Sequence, residues 1–237
     1  MPRQVHNTSR MTADRVIEMV LRLVQRCEDA SATQAMLRAI NDDDVLWSLL
    51  FDSGCEAHGL NFVHNVLFSH LLMLLAAMYD PRDHRRDNRA SLPSIMHHLA
   101  DKAVLRQLVE DARSRTSDRV QPSSEQNARA AARSIMRARI RYNALTASTS
   151  HRDHLQRLRD LRNEHGAHAL VQSPMRSAPP WGWFEELRRD SAPIVSHLCF
   201  AVEGRDPRFD EVDEEWARKA AAFWARLRND LSSNTGS

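Results

Sequence analysis

Helix breakers are few in this chain. Its 237 residues include six glycines and nine prolines. The stretches between them repeat apolar residues every three to four positions, the spacing of one face of an α-helix. Ala, Leu, Arg and Glu fill these stretches, and β-branched clusters are scarce. Such a chain buries its apolar residues by packing helix on helix. An all-α fold is therefore expected, and an apolar share of 42% is enough for a core.

Val16, Val20, Leu23, Val24 and Cys27 mark a first helix over 13–27. Further helices are expected over 33–50, 55–79 and 102–113. A short one starts at Ser91-Leu92-Pro93, where Ser suits the N-cap and Pro the first turn. A long helical stretch begins near Ser124, with a break expected over 146–150 and a restart at His151. A helix over 183–202 follows. The last helix carries Val212, Trp216, Ala220, Phe223, Trp224, Leu227 and Leu231 on one stripe. Residues 1–10 read as a disordered lead-in, 11–232 as a single helical domain and 233–237 as a disordered tail.

Several function classes fall away. The N-terminus has no signal-peptide core. The most apolar run, Leu71 to Tyr79, is about two turns long and follows His64, Asn65, Ser69 and His70, so it reads as a core helix, not a membrane span. Cys27, Cys55 and Cys199 lie far apart without zinc-site spacing, which fits buried free thiols in a reducing compartment. A cytoplasmic location is expected. His58, His64 and His70 recur every six residues and so occupy different helix faces, and no carboxylate completes a metal set. Neither a metal nor another cofactor is expected. Trp181, Trp183, Trp216 and Trp224 read as packing residues, with an exposed stacking platform as the alternative for Trp181.

The charges are more informative. Only Lys102 and Lys219 are lysine, so nearly every cation is an arginine, whose planar fork grips phosphate or carboxylate with paired hydrogen bonds. Arg129, Arg133, Arg137 and Arg141 recur every four residues with no acid between them, forming one ridge. Such a ridge can follow RNA phosphates. It can equally be a solvated face or a surface for an acidic partner, and the segment 203–215 is acidic enough to be one.

The second informative stretch is Arg162-Asn163-Glu164-His165-Gly166-Ala167-His168. Leu155, Leu158 and Leu161 define an apolar stripe on the helix that contains it. At about 100° per residue, Arg162 and His165 continue that stripe and His168 falls at its edge. Ionisable groups are costly to bury unpaired, so these must face a cleft, a ligand or a partner subunit. In the structural alternative, Arg162 pairs with a carboxylate and the histidines favour the helix C-terminus. Gly166 is the expected end of the helix, ahead of His168.

Arg162, Asn163, Ala167 and His168 resemble the signature of the HEPN superfamily, an Arg followed after four to six residues by a His, often as R-N-x-x-x-A-H. Arg159 and His165 satisfy the same bare spacing, but Arg159 points away from the leucine stripe and His165 lacks the preceding Ala. Leu71 to Asp80, a charged loop and then Ser91-Leu92-Pro93-Ser94-Ile95 are similar to the AbiU-like abortive-infection branch of that superfamily. The resemblance implies a HEPN-like helical bundle with additional helices, acting as a homodimer. It implies a metal-independent endoribonuclease of phage defence or a toxin. His168 would move protons, Arg162 would hold the scissile phosphate, Asn163 would orient them and His165 would be auxiliary. RNA is the implied substrate, and a nucleotidyltransferase-type antitoxin is an implied partner. The alternative is a non-catalytic dimer that binds RNA, nucleotide or an antitoxin.

Overall fold

The computed structural model describes residues 3–49, 54–81, 90–115, 123–168 and 182–234, with backbone alone for 3–11, 55–56, 165–168 and 231–234. Among these residues the chain is all helix: α1 (Arg3–Asn41), α2 (Asp44–Leu49), α3 (Cys55–Tyr79), α4 (Leu92–His98), α5 (Lys102–Ser114), α6 (Ser124–Ala147), α7 (Thr149–His168), α8 (Gly182–Glu203) and α9 (Phe209–Asn234).

α1 is the spine. It packs against α3, α4, α5, α8 and α9, and its Val16, Val20, Leu23, Leu37 and Ile40 are fully or almost fully buried. Two breaks expected from sequence are absent here. The backbone is helical from Arg3, within the stretch read as a lead-in, and it continues through 28–32, where two separate helices were expected. In that region the Ser31 hydroxyl donates to the Cys27 carbonyl (2.9 Å) and the Thr33 hydroxyl to the Asp29 carbonyl (2.7 Å). Both polar side chains thus bond back onto their own helix, so the polar patch does not end it.

That patch is also an interior junction. Arg188 of α8 donates to Gln34 (2.6 Å) and Ser31 (3.0 Å) of α1 and forks onto both carboxylate oxygens of Asp213 on α9 (2.9 and 2.6 Å). One guanidinium joins three helices. At the far end of α1, a smaller core of Ile40, Leu46, Leu60, Ala220 and Trp224 forms, with the Trp224 indole donating to the Met36 carbonyl (3.1 Å). Phe223, read as part of the inward stripe of α9, is instead more than half exposed, because Ala220 and Trp224 fill that contact.

Residues 57–79 of α3 are long and apolar enough to cross a membrane by length and composition, with a mean hydropathy of 1.6 over the most apolar window, a third of which is buried. The apolar segment is thus longer than Leu71–Tyr79. Its second half is core: Leu71, Leu72, Leu75 and Met78 are fully buried. On its outer face Phe62, Val66 and Met73 are exposed.

Ser91 caps α4 by accepting from the Ser94 N–H, with Pro93 in the first turn as expected. Ser123 and Gln126 form a reciprocal capping box at α6, which ends at Ala147 with Ser148 as its C-cap, so that α7 restarts at Thr149, two residues ahead of the expected His151. α8 ends at Gly204, whose φ of 76° lets its N–H bond the Phe200 carbonyl at 2.9 Å. Arg115 reaches the same end and donates to the Ala201 carbonyl (2.6 Å). Cys27 and Cys199 are free and buried, and the side chain of Cys55 lies outside the described residues.

Candidate functional site

α7 lies along α3 and also touches α6 and α8. Its inward face reads His151, Leu155, Leu158, Arg162. Leu158 is buried, and Leu155 and Leu161 pack partly buried against the core. The leucine stripe is therefore real, and Arg162 continues it as a half-buried group. Its guanidinium donates to Asp80, the C-cap residue of α3, which lies 82 residues earlier in the chain. Asp80 also lies near Arg26 of α1, which donates to the backbone carbonyls of Ala90 and Ala77, the latter at 3.5 Å. Two arginines thus converge where α3 ends and the chain turns toward α4. A cation there also meets the negative end of the helix dipole.

Asn163 and Glu164 are exposed. The backbone stays helical across Gly166 to His168, so the glycine does not end α7 early as expected. The side chains of His165 and His168 lie outside the described residues, as does Trp181. Arg159 is partly buried and makes no ion pair among the described residues.

The first turn of α7 holds a group that sequence reading passed over. His151 is 3% exposed, and neither ring nitrogen has a hydrogen-bond partner. It packs edge-on to Tyr79 (ring centroids 5.2 Å apart), with a carboxylate oxygen of Asp190 at 4.0 Å. Burial, helped by the neighbouring His154, pushes its pKa down to about 4, so the ring is neutral at ordinary pH. The Tyr79 hydroxyl donates to the Leu187 carbonyl (2.8 Å), tying α3 to α8. One turn on, His154 stacks on Trp183 (5.1 Å) and approaches Glu186 (3.5 Å), while Arg157 covers the same indole at 4.6 Å. Trp183 is thus a packing residue, as read, but it packs against a guanidinium and an imidazole near the surface.

The arginine ridge is only partly a ridge. Arg129 is bound by Glu125 at 3.1 Å, an acid one turn before the stretch that carries none. Arg133, Arg137 and Arg141 instead line a groove of about 650 Å³ between α6 and α8. None of these three has a hydrogen bond or ion pair among the described residues. His197 of α8 stands on the opposite wall, its pKa lowered by burial and then by Arg141 and Arg137, with Asp206 opposing. The acidic segment does come up to the ridge, as Asp206 and Asp210 on the groove wall, but neither carboxylate pairs with a ridge arginine among the described residues. Asp206 accepts from the Ser196 hydroxyl (3.0 Å) and the Arg208 N–H (3.1 Å), and Glu211 holds the Arg208 guanidinium (2.9 Å). His197 gave no signal in sequence because it lies on an apolar helix more than fifty residues from the ridge.

His64 bonds Asn41 (3.2 Å) at the end of α1, and no three His, Cys, Asp or Glu among the described residues are placed to hold a metal ion. No known family, curated protein or solved structure matches this chain.

Proposed function

We propose that the protein is a metal-independent endoribonuclease of the HEPN type, working in phage defence by abortive infection or as a toxin. The observation that carries this reading is the Arg162–Asp80 contact. The two stretches on which the resemblance rests, one ending in Asp80 and one beginning at Arg162, meet through it. A carboxylate behind a guanidinium fixes its direction while leaving its other N–H groups to grip phosphate.

In this reading the ribose 2′-oxygen attacks the adjacent phosphorus, the bond from phosphorus to the 5′-oxygen breaks, and a 2′,3′-cyclic phosphate and a 5′-hydroxyl result. His168 takes the 2′-proton or supplies one to the leaving oxygen, work suited to an imidazole near neutral pH. Arg162 stabilises charge gathering on the phosphoryl oxygens, and Asn163 orients the pair. A second copy of the chain completes the site.

The test is cleavage of total RNA in excess chelator. Wild type should cut, and His168→Ala and Arg162→Ala should each lose about 100-fold or more. Asp80→Asn should lose less, since it only positions the arginine. Equal cutting by wild type and His168→Ala would remove His168 as the catalyst.

The same ion pair favours a second reading, a non-catalytic dimer that binds RNA or a nucleotidyltransferase-type antitoxin, with Arg162 a structural cation. RNA binding without cleavage would support it.

A further inference from the structure

Arg133, Arg137 and Arg141 stand on successive turns of α6, about 6 Å apart along its axis. Like charges at this spacing repel one another and weaken a helix. Nothing in the described chain relieves them, although Asp206 and Asp210 lie across the same groove. A concave wall of unpaired cations calls for an anion from outside. The spacing selects the kind of anion. Phosphates of a polyphosphate tail share a bridging oxygen and sit closer than one helical turn, whereas those of a nucleotide chain are separated by a whole ribose. Three forks one turn apart therefore suit consecutive phosphates of a strand.

The opposite wall discriminates further. Carboxylates repel phosphate but accept hydrogen bonds from hydroxyls, and the 2′-hydroxyl is what distinguishes RNA from DNA. With phosphates on α6, ribose hydroxyls that face across the groove would meet Asp206 and Asp210, while Arg208 on the same wall is held by Glu211. His197, on that opposite wall and close to Arg137 and Arg141, adds a proton-dependent positive charge. We propose that the α6–α8 groove binds single-stranded RNA at a site separate from Arg162, with phosphates on Arg133, Arg137 and Arg141 and ribose hydroxyls toward Asp206 and Asp210. The choice of RNA as ligand rests on the endoribonuclease reading; the demand for a phosphate chain does not.

The experiment uses the full chain with His168→Ala, to prevent cutting, and a labelled single strand of about ten nucleotides, as RNA and as DNA of the same sequence. Fluorescence anisotropy is read from 50 to 200 mM salt. Three phosphate contacts account for roughly a 20-fold loss of affinity over that range. Replacing Arg133, Arg137 and Arg141 together by Ala should abolish that share of the salt dependence. Arg129→Ala should change Kd less than about two-fold, because Arg129 is not among the residues that line the groove. Lowering the pH from 7.5 to 6 should tighten RNA binding and do so much less in His197→Gln, since bound phosphate favours the imidazolium.

Unchanged affinity and salt dependence in the triple variant, or equal affinity for DNA and RNA, would overturn the proposal. The two functional readings fail separately. A protein that binds through the groove but never cuts loses only the catalytic reading. One that cuts, with a KM indifferent to the triple substitution, loses only the groove.

Discussion

Arg188 and Arg137 are the same residue type, both on helices, in opposite circumstances. Arg188 is half-buried, forked onto Asp213 and bonded to Ser31 and Gln34, so that α1, α8 and α9 meet on it. Arg137 is exposed, flanked one turn away on each side by another arginine, and has no partner among the described residues. The first kind of arginine contributes to the fold and the second is a cost that the fold carries. Arg162 stands between them, tied to Asp80 yet at the edge of the core. His151 shows a third outcome: a titratable group buried without a hydrogen-bond partner gives up its proton and stays neutral.

Each case makes a measurable claim about stability. The largest belongs to His151. Its folded pKa lies below its ordinary value, so the unfolded chain takes up the proton first on acidification. The stability concerned is fully present above pH 6.5 and declines as the pH falls toward 4, by about 3 kcal/mol in all. Urea unfolding at pH 7 and pH 4.5 should show this decline in the wild type and a much smaller one in His151→Phe, which keeps the ring against Tyr79. A pH dependence identical in the two would mean that the imidazole is hydrated. Next comes Arg188→Ala, expected to lose about 2–3 kcal/mol. This is less than a fully buried pair would cost, because Asp213 keeps a third of its side chain in solvent. The smallest effect has the opposite sign. Arg137→Ala should raise stability by a few tenths of a kcal/mol, since it removes two like-charge neighbours and substitutes a better helix former. A loss above about 1 kcal/mol would place Arg137 with Arg188 and erase the distinction.

Much of the fold was legible because helical spacing is a local signal. The Ser91 cap, the Ser124 start and the leucine stripe of α7 appear where the spacing puts them. The break expected after Cys27 failed for a local reason too: Ser31 and Thr33 look like loop formers until their hydroxyls are seen bonding back along α1. Sites are less legible because they depend on which helices lie side by side. Arg162 could be flagged as a charge on an apolar face, and Asp80 as the end of an apolar run, but only packing of α7 on α3 joins them. The arginine ridge could be counted from sequence. Glu125, one turn before Arg129 on the same helix, was equally readable, whereas the presence of His197 opposite the ridge required α6 and α8 to be placed.

The pairing of α1 with α9 joins segments from opposite ends of this sequence. A chain emerging from the ribosome exposes the Ala35, Met36 and Ala39 side of α1 until α9 has been made, and only then can Trp224 close over it. Phe209 and Asp210, which complete the α6–α8 groove, arrive with the same helix. Completion of this architecture therefore waits on α9 and is governed by contacts distant in sequence. Until α9 is present, a nascent chain has neither the finished second core nor the finished groove.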